Sequence, residues 1–148
     1  MAKKIRKRSA DPDSPAPAAR PRRRSSAATV RKIAQVRKFA IEVARLLKDR
    51  HCEDVLLLDV HGRNDITDYI LIASGTSDRQ MRAVAEEIEE LAARAGMVRL
   101  GADIDAHTTW VVLDFIDLVV HLFDPATRAH YDLEMLWGDA PRVTWRKS

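Results

Sequence analysis

The chain has 148 residues, of which 46% are hydrophobic and 32% charged, and its formal net charge is +3. This length predicts one domain with a hydrophobic core and argues against two. No apolar run approaches the roughly 20 residues needed to cross a bilayer, and no apolar segment follows the basic start as in a secretory signal. The single cysteine, Cys52, provides neither a disulfide within the chain nor a cysteine metal cluster. We therefore expect a cytoplasmic protein.

The positive charge is concentrated at the N-terminus. Residues 1–29 contain nine Lys or Arg against Asp11 and Asp13, a net +7, so residues 30–148 carry −4. Four of the six prolines also lie in this segment. With so little apolar surface to offset the entropy of ordering, we expect 1–29 to be a disordered basic arm. An arm that contacts RNA phosphates, a plain solvated extension and an organelle transit peptide all remain open.

The sequence of the first half of the folded part predicts a helix followed by two strands. Apolar residues recur at helical spacing from Val30 to Leu47, opposite a face of Arg and Lys. The run Val55–Val60 is too short and too continuous for a surface helix, so we predict a buried strand. A turn at Gly62–Asp65 then leads to a second strand, Asp68–Ser74.

A glycine turn and a capped helix follow this second strand. Ser77 and Gln80 have the spacing of a capping box, in which two side chains satisfy free backbone N–H groups at a helix start. Apolar residues then recur every three or four positions over Asp78–Ala95, which predicts an amphipathic helix. Gly96 stands where a left-handed cap ends such a helix.

The amino-acid sequence of the last third of the chain predicts further strands and a short helix. We expect a weak strand near Met97–Leu100, a polar loop over Gly101–Thr108 and a hairpin of Trp110–Phe115 with Leu118–Phe123. Asp124 as N-cap and a proline in the first turn start a helix that should reach about Trp137. The domain is thus expected to span residues 30–142, followed by a short tail at 143–148.

The polar residues do not form a recognisable catalytic pattern. Acidic residues flank the strand ends, and a Gly-Thr-Ser turn before a helix loosely resembles nucleotidyltransferases, whose paired carboxylates bind magnesium. Such carboxylates lie two apart along a strand, whereas Asp114 and Asp117 are three apart across a probable turn. The histidines lack metal-ligand spacing, and neither Ser74 nor Ser77 has the neighbours of a nucleophile. We predict a binding module with no catalytic residue, metal or cofactor.

Aromatic residues at element ends suggest an interface. Trp110 begins a strand beside a polar loop, and Tyr69, Tyr131 and Trp137 lie near the ends of strands or helices. Trp and Tyr in such places often anchor protein contacts, although packing of the C-terminal helix onto the sheet explains them equally well. Because the folded part is acidic, the expected partner has a basic protein surface.

Three segments in the same order resemble the ribosomal silencing factor family, also called Iojap-like. Asp68–Gln80 reads DYILIASGTSDRQ, Trp110–Phe123 reads WVVLDFIDLVVHLF, and Arg128–Trp137 reads RAHYDLEMLW. The resemblance extends over about residues 33–142. Two departures are visible: Phe115-Ile116-Asp117 replaces a Tyr-Gly-Asp-like turn, so we expect a looser hairpin, and the N-terminal arm has no counterpart.

The resemblance implies an α/β fold, a single domain with a mixed sheet of about five strands flanked by helices, similar to a nucleotidyltransferase without its catalytic residues. It also implies binding to the large ribosomal subunit through large-subunit ribosomal protein number fourteen (uL14). Bound there, such proteins keep the small subunit away and repress translation when nutrients are scarce. A homodimer is implied for the free protein.

Our interface hypothesis combines this implied partner with the aromatic and acidic residues. Trp110 would be the anchor and two carboxylates would meet Lys or Arg of the ribosomal protein, with support from four further side chains. The full set is Tyr69, Trp110, Asp114, Asp117, His121, Arg128 and Tyr131. The alternatives are a nucleotidyltransferase-type enzyme and an RNA-binding adaptor that acts through the N-terminal arm.

Overall fold

The computed structural model describes residues 27–63, 65–103 and 109–146. The helices are α1 (Ala27–Asp49), α2 (Asp78–Ala95), α3 (Pro125–Tyr131) and α4 (Leu133–Leu136). The strands are β1 (Glu53–Asp59), β2 (Tyr69–Ser74), β3 (Gly101–Asp103), β4 (Trp110–Asp114) and β5 (Leu118–Phe123). Within these ranges, none of the helices combines the length and the apolarity that a bilayer span requires.

The strands form one mixed sheet in the order β1-β2-β5-β4-β3. β2 and β5 are parallel, and the other neighbouring pairs are antiparallel. The parallel pair lies at the centre, where every residue of both strands is buried. This arrangement confirms the predicted single α/β domain with a five-stranded mixed sheet.

The two faces of the sheet are covered by different elements. Side chains alternate along β5, so Leu118, Val120 and Leu122 point to one core while Val119 and Phe123 point to the other. α1 and α2 pack on the first side, which we call the helix face. Leu133 and Ala140 pack on the second side, which we call the far face.

The predicted start and end of α2 are confirmed. The Ser77 hydroxyl accepts a hydrogen bond from the Gln80 backbone N–H at 3.0 Å, and Gln80 Oε1 accepts one from the Thr76 N–H at 2.9 Å. Gly96 has a φ of +73° and ends the helix in the left-handed region. Gly75 is required for a different reason, since a Cβ there would stand 2.2 Å from Cγ of the buried Met81.

Two predicted elements were wrong in their boundaries. Met97–Leu100 is a surface connector, and the strand after α2 is Gly101–Asp103, which pairs with the end of β4. The connector contains three apolar residues, of which Met97 packs partly buried against the core while Val98 and Leu100 are exposed. The predicted C-terminal helix is two helices, because Asp132 has a φ of +46° and caps α3 before α4 begins.

The β4–β5 turn is tight, contrary to the expectation drawn from its unusual sequence. The Phe115 N–H donates to the Leu118 carbonyl at 2.8 Å, and the Asp117 N–H donates to the Phe115 carbonyl at 2.9 Å. Asp114 Oδ1 accepts the Ile116 N–H at 2.8 Å. Closure places Ile116 at a φ of +76°, a conformation that is strained for a β-branched residue.

We expect Ile116→Gly to stabilise the domain by about 1 kcal/mol. The substitution removes positive-φ strain of about 1–3 kcal/mol and adds about 0.5–1 kcal/mol of backbone entropy to the unfolded chain. The melting temperature should rise by about 4 °C in a thermal scan. Ile66→Gly is the matched control, since Ile66 is also an exposed isoleucine but has no positive φ. A similar fall in melting temperature for both variants would contradict the assignment of strain.

The C-terminal segment covers the outer edge of β1. The Val143 N–H donates to the Leu57 carbonyl at 2.8 Å, and the Asp59 N–H donates to the Pro141 carbonyl at 2.9 Å. Trp145 is buried on the helix face, where its carbonyl accepts from Arg45 Nε at 2.7 Å. The segment that we expected to be a tail from residue 143 is therefore packed through Arg146, and it protects an edge that would otherwise be open to another strand.

Candidate functional site

An aromatic cluster occupies one end of the far face. The Trp110 ring lies 4.5 Å from Phe123, 5.0 Å from Tyr131 and 5.9 Å from His121, measured between ring centroids. The Trp110 indole N–H donates to His121 Nδ1 at 3.2 Å. Trp110 is only 3% exposed, whereas Tyr131 on α3 is half-buried and covers it. The cluster is therefore a rigid base beneath α3.

Arg128 connects α3 to the sheet and to α4 through hydrogen bonds. Its Nη1 donates to the Asp54 carbonyl at 2.8 Å and to the Ser74 hydroxyl at 3.0 Å, and its Nε donates to Glu134 Oε2 at 2.9 Å. Only 11% of the side chain is exposed. Arg128 thus positions the two short helices over the aromatic cluster.

The two carboxylates of the hypothesis lie at the other end of the hairpin. Trp110 pairs with Phe123 and Asp114 pairs with Val119, so the two ends of β4 are about 13 Å apart. Asp114 and Asp117 also differ in their partners, because Asp114 accepts from the backbone of the turn while Asp117 Oδ2 lies 3.5 Å from Lys32 Nζ.

Tyr69 lies away from the aromatic cluster. It belongs to the core of the helix face and is 2% exposed. Burial raises the pKa of its hydroxyl, while a hydrogen bond with Arg37 of α1 acts in the opposite direction. Trp110, His121 and Tyr131 are therefore brought together with Arg128 beside them. Tyr69, Asp114 and Asp117 lie at the other end of the hairpin, where the Tyr69 N–H donates to the Asp117 carbonyl at 3.0 Å.

The polar groups considered for chemistry have structural partners. Ser74 accepts from Arg128, Ser77 caps α2, and His61 Nδ1 lies 2.7 Å from Asp68 Oδ1. Burial raises the pKa of Cys52 to about 11, so its thiol is protonated at neutral pH. Across the described ranges, no group of three or more His, Cys, Asp or Glu side chains is placed to hold a metal ion.

An exposed apolar pair on α4 was missed by the sequence reasoning. Met135 is 76% exposed and Leu136 is 67% exposed, while Leu133 of the same helix is buried in the far-face core. Apolar residues at 133, 135, 136 and 137 cannot all share one face of a helix, and that spacing could have revealed the pair. We define the α4 surface as Tyr131, Met135 and Leu136.

Two acidic residues flank the α4 surface along the chain. Asp132 precedes α4 and is exposed, and the Asp139 side chain is 86% exposed although it pairs with Arg63 at 3.1 Å. Residues 50–148, which hold the sheet and α2 to α4, contain ten Lys or Arg and eighteen Asp or Glu, a net −8. An apolar pair in an acidic part of the chain favours a basic protein partner.

Comparison with known proteins gives consistent results. Residues 33–148 match the family model described as ribosomal silencing factor during starvation. The chain is 42% identical over 93 residues to ribosomal silencing factor RsfS of Bacillus subtilis, covering 63% of this chain and 79% of that protein. It is 35% identical over 107 residues to the mouse mitochondrial assembly of ribosomal large subunit protein 1, covering 68% of this chain and 46% of the mouse protein.

A solved structure shares the fold. The crystal structure of a Chromobacterium violaceum protein superposes with a TM-score of 0.62 at 30% sequence identity, covering 78% of this chain and 93% of that one. The match to the family model extends through the sheet, the aromatic cluster, the α4 surface and the packed C-terminal segment. The chain belongs to the ribosomal silencing factor family.

Proposed function

We propose that this protein binds the large ribosomal subunit through ribosomal protein uL14, blocks association with the small subunit and thereby represses translation under nutrient limitation. Family membership supports a role at the ribosome, and the name of the mouse relative points to the large subunit. The observation that carries the proposal is the α4 surface, an exposed apolar pair on the short helix that directly follows Tyr131 of the aromatic cluster, in an acidic part of the chain.

The contact would be centred on the α4 surface. Complete burial of a Leu or Met side chain contributes about 1.5–3 kcal/mol, so Met135 and Leu136 together offer a substantial binding energy. Tyr131 would join the contact directly. Trp110 and His121 would act from beneath by holding Tyr131 in place, and Arg128 would do so by fixing α3 to the sheet.

The carboxylates at the hairpin turn are mostly buried. A standard interface covers about 800 Å² per partner, which corresponds to a patch roughly 28 Å across. Asp114 lies about 13 Å along β4 from Trp110, but Asp114 is only 8% exposed and accepts from the turn, and Asp117 is 9% exposed and pairs with Lys32. We therefore propose that both carboxylates stabilise the turn and do not contact the ribosomal protein. Tyr69 is buried beneath α1, and we propose a packing role for it.

The proposed mechanism is steric and involves neither catalysis nor a cofactor. A domain of about 119 residues has a radius of gyration near 13–14 Å and a diameter of roughly 35 Å. A body of this size on the joining face would keep the subunits apart without any chemical step. The different partners of Asp114 and Asp117 favour this account over nucleotidyl transfer, which needs both carboxylates on one cation.

We further propose a homodimer for the free protein. The apolar side of α1, one candidate surface, is buried against the sheet and is therefore occupied. Among the described residues, β3 is the edge strand on its side of the sheet, and the exposed Val98 and Leu100 lie just before it. This edge and its apolar pair support pairing with a second copy.

Co-sedimentation with purified ribosomal particles tests the proposal. The full chain should pellet with isolated large subunits and remain in the supernatant with isolated small subunits. Intact ribosomes should retain much less protein than free large subunits, because the small subunit covers the proposed site. Equal retention on large subunits and on intact ribosomes would contradict the proposal.

A further inference from the structure

Charge is distributed very unevenly between α1 and the rest of the domain. α1 contains six Lys or Arg and two acidic residues, a net +4, against the net −8 of residues 50–148. The 26 residues that precede α1 in the sequence carry nine Lys or Arg and two Asp, a further +7. The chain is therefore strongly basic up to residue 49 and acidic after it.

Basic residues lie along the outward side of α1 and on the C-terminal segment that packs beside it. Lys38 and Arg45 are seven residues apart on α1, which places them about 10.5 Å apart along its solvent side, and Lys48 follows one turn later. Arg45 binds the Trp145 carbonyl, and the Arg146 guanidinium lies 5.1 Å from the Trp145 ring centroid. We define the basic face as Lys38, Arg45, Lys48 and Arg146.

Neighbouring acidic groups only partly offset this charge. Glu42 and Asp49 are the acidic residues of α1, and Glu42 lines a groove of about 430 Å³ together with Lys38 and Arg94. Glu87 of α2 is engaged by Arg50, whose guanidinium holds it at 2.7–3.0 Å and lowers the pKa of its carboxyl. The cations therefore outnumber the carboxylates that could neutralise them.

We propose that the basic face binds the phosphate backbone of RNA. Lys and Arg along one helix match a chain of phosphates, and they contact it without reading sequence. A membrane surface fits poorly, because the apolar side of α1 is buried and the large exposed apolar residues of the described chain lie outside α1.

The basic face and the α4 surface lie on opposite sides of the sheet. α1 covers the helix face, whereas α3 and α4 cover the far face. One domain could thus hold a basic protein on one side and RNA on the other. Two weak contacts joined in one rigid body bind much more tightly than either does alone. The RNA contact does not depend on the proposed α4 surface, so each can fail without the other.

Fluorescence anisotropy with a labelled 20-base-pair RNA duplex tests the inference on the full chain. Lys38→Gln/Lys48→Gln should weaken binding about tenfold at 100 mM salt and reduce the log–log salt slope by about 1.5–2, the value for two lost phosphate contacts. The matched control, Arg63→Gln/Arg79→Gln, removes the same charge from exposed positions outside α1 and should weaken binding less than threefold.

Four results would overturn the inference. Equal losses in the two double variants would mean that only net charge matters. An unchanged affinity of the α1 variant would assign all RNA binding to residues 1–26. Absence of RNA binding by the unmodified chain would exclude an RNA-binding surface. Poly-L-glutamate that displaces the labelled duplex as effectively as unlabelled RNA of the same total charge would show that the surface is not suited to RNA in particular. None of these results involves the ribosomal protein, so they leave the proposed function untouched.

Discussion

Met135→Asp/Leu136→Asp is expected to reduce binding to the large subunit by at least about 100-fold while the domain stays folded. Both side chains are mostly exposed, so the variant loses little packing within the domain. In the complex it loses the burial of two large apolar side chains, about 3–6 kcal/mol, and every 1.4 kcal/mol is tenfold in affinity. Titration of labelled protein with purified large subunits measures the change.

Val98→Asp/Leu100→Asp is the matched control for this variant. It makes the same kind of change at two exposed apolar residues beside β3, on the opposite edge of the sheet from β1. We expect binding to the large subunit within about threefold of the unmodified protein when both are titrated at concentrations where the free protein is monomeric. Val98 and Leu100 belong to the proposed dimer edge and lie outside the proposed ribosomal contact. If the control loses affinity and the α4 variant does not, the contact lies at β3 and the assignment to α4 is wrong.

Trp110→Ala is expected to destabilise the domain by about 3–5 kcal/mol. The side chain is almost fully buried, so its removal leaves a cavity beneath Tyr131 and between α3 and the sheet. It also leaves His121 Nδ1 without its indole donor. Such a loss is a large part of the 5–15 kcal/mol typical of a whole domain, and urea denaturation should show a much lower midpoint.

Trp110→Phe separates packing from hydrogen bonding. Phe keeps a ring against Phe123 and Tyr131 but has no N–H to donate, so we expect a smaller loss of about 1–2 kcal/mol. Binding by the folded fraction should fall about 30- to 1000-fold for Trp110→Ala, because Tyr131 loses its support, and much less for Trp110→Phe. Wild-type stability of Trp110→Ala would contradict its role as the base of the site.

The parts of the fold that depend on local sequence could be predicted well. The bounds of α2 follow from the Ser77 cap, the apolar spacing and Gly96, all of which act within a few residues. β2 and β5 could be predicted because each is a short apolar run in the buried centre of the sheet. Where residues close in sequence determine an element, the prediction from the sequence agrees with the structure.

Features that depend on distant contacts could not be predicted. Trp145 is an isolated aromatic residue near the chain end, yet it is buried in the helix-face core. Arg45, one hundred residues earlier, binds its carbonyl. β3 is located by its pairing with Asp114, which the sequence of Met97–Leu100 does not reveal. The break between α3 and α4 depends on the left-handed conformation of Asp132, which an aspartate adopts only in some contexts.

The candidate site also combines features that could be predicted from the sequence with features that depend on distant contacts. Residue type, position in the predicted elements and the family resemblance together selected Trp110, His121 and Tyr131, and the structure brings these three together. Residue type could not tell a buried base from an exposed contact, because burial depends on how α3 folds back over β4. Met135 and Leu136 were not among the predicted site residues, because their exposure depends on how α4 follows the break at Asp132.

The central claim is that a bound domain keeps the ribosomal subunits apart, and light scattering during subunit joining tests it most directly. Purified large subunits are incubated with the full chain, small subunits are added, and the rise in scattering reports intact ribosomes. We predict that joining falls in proportion to occupancy of the large subunit and is restored by Met135→Asp/Leu136→Asp. Undiminished joining with large subunits saturated by the protein would contradict the account.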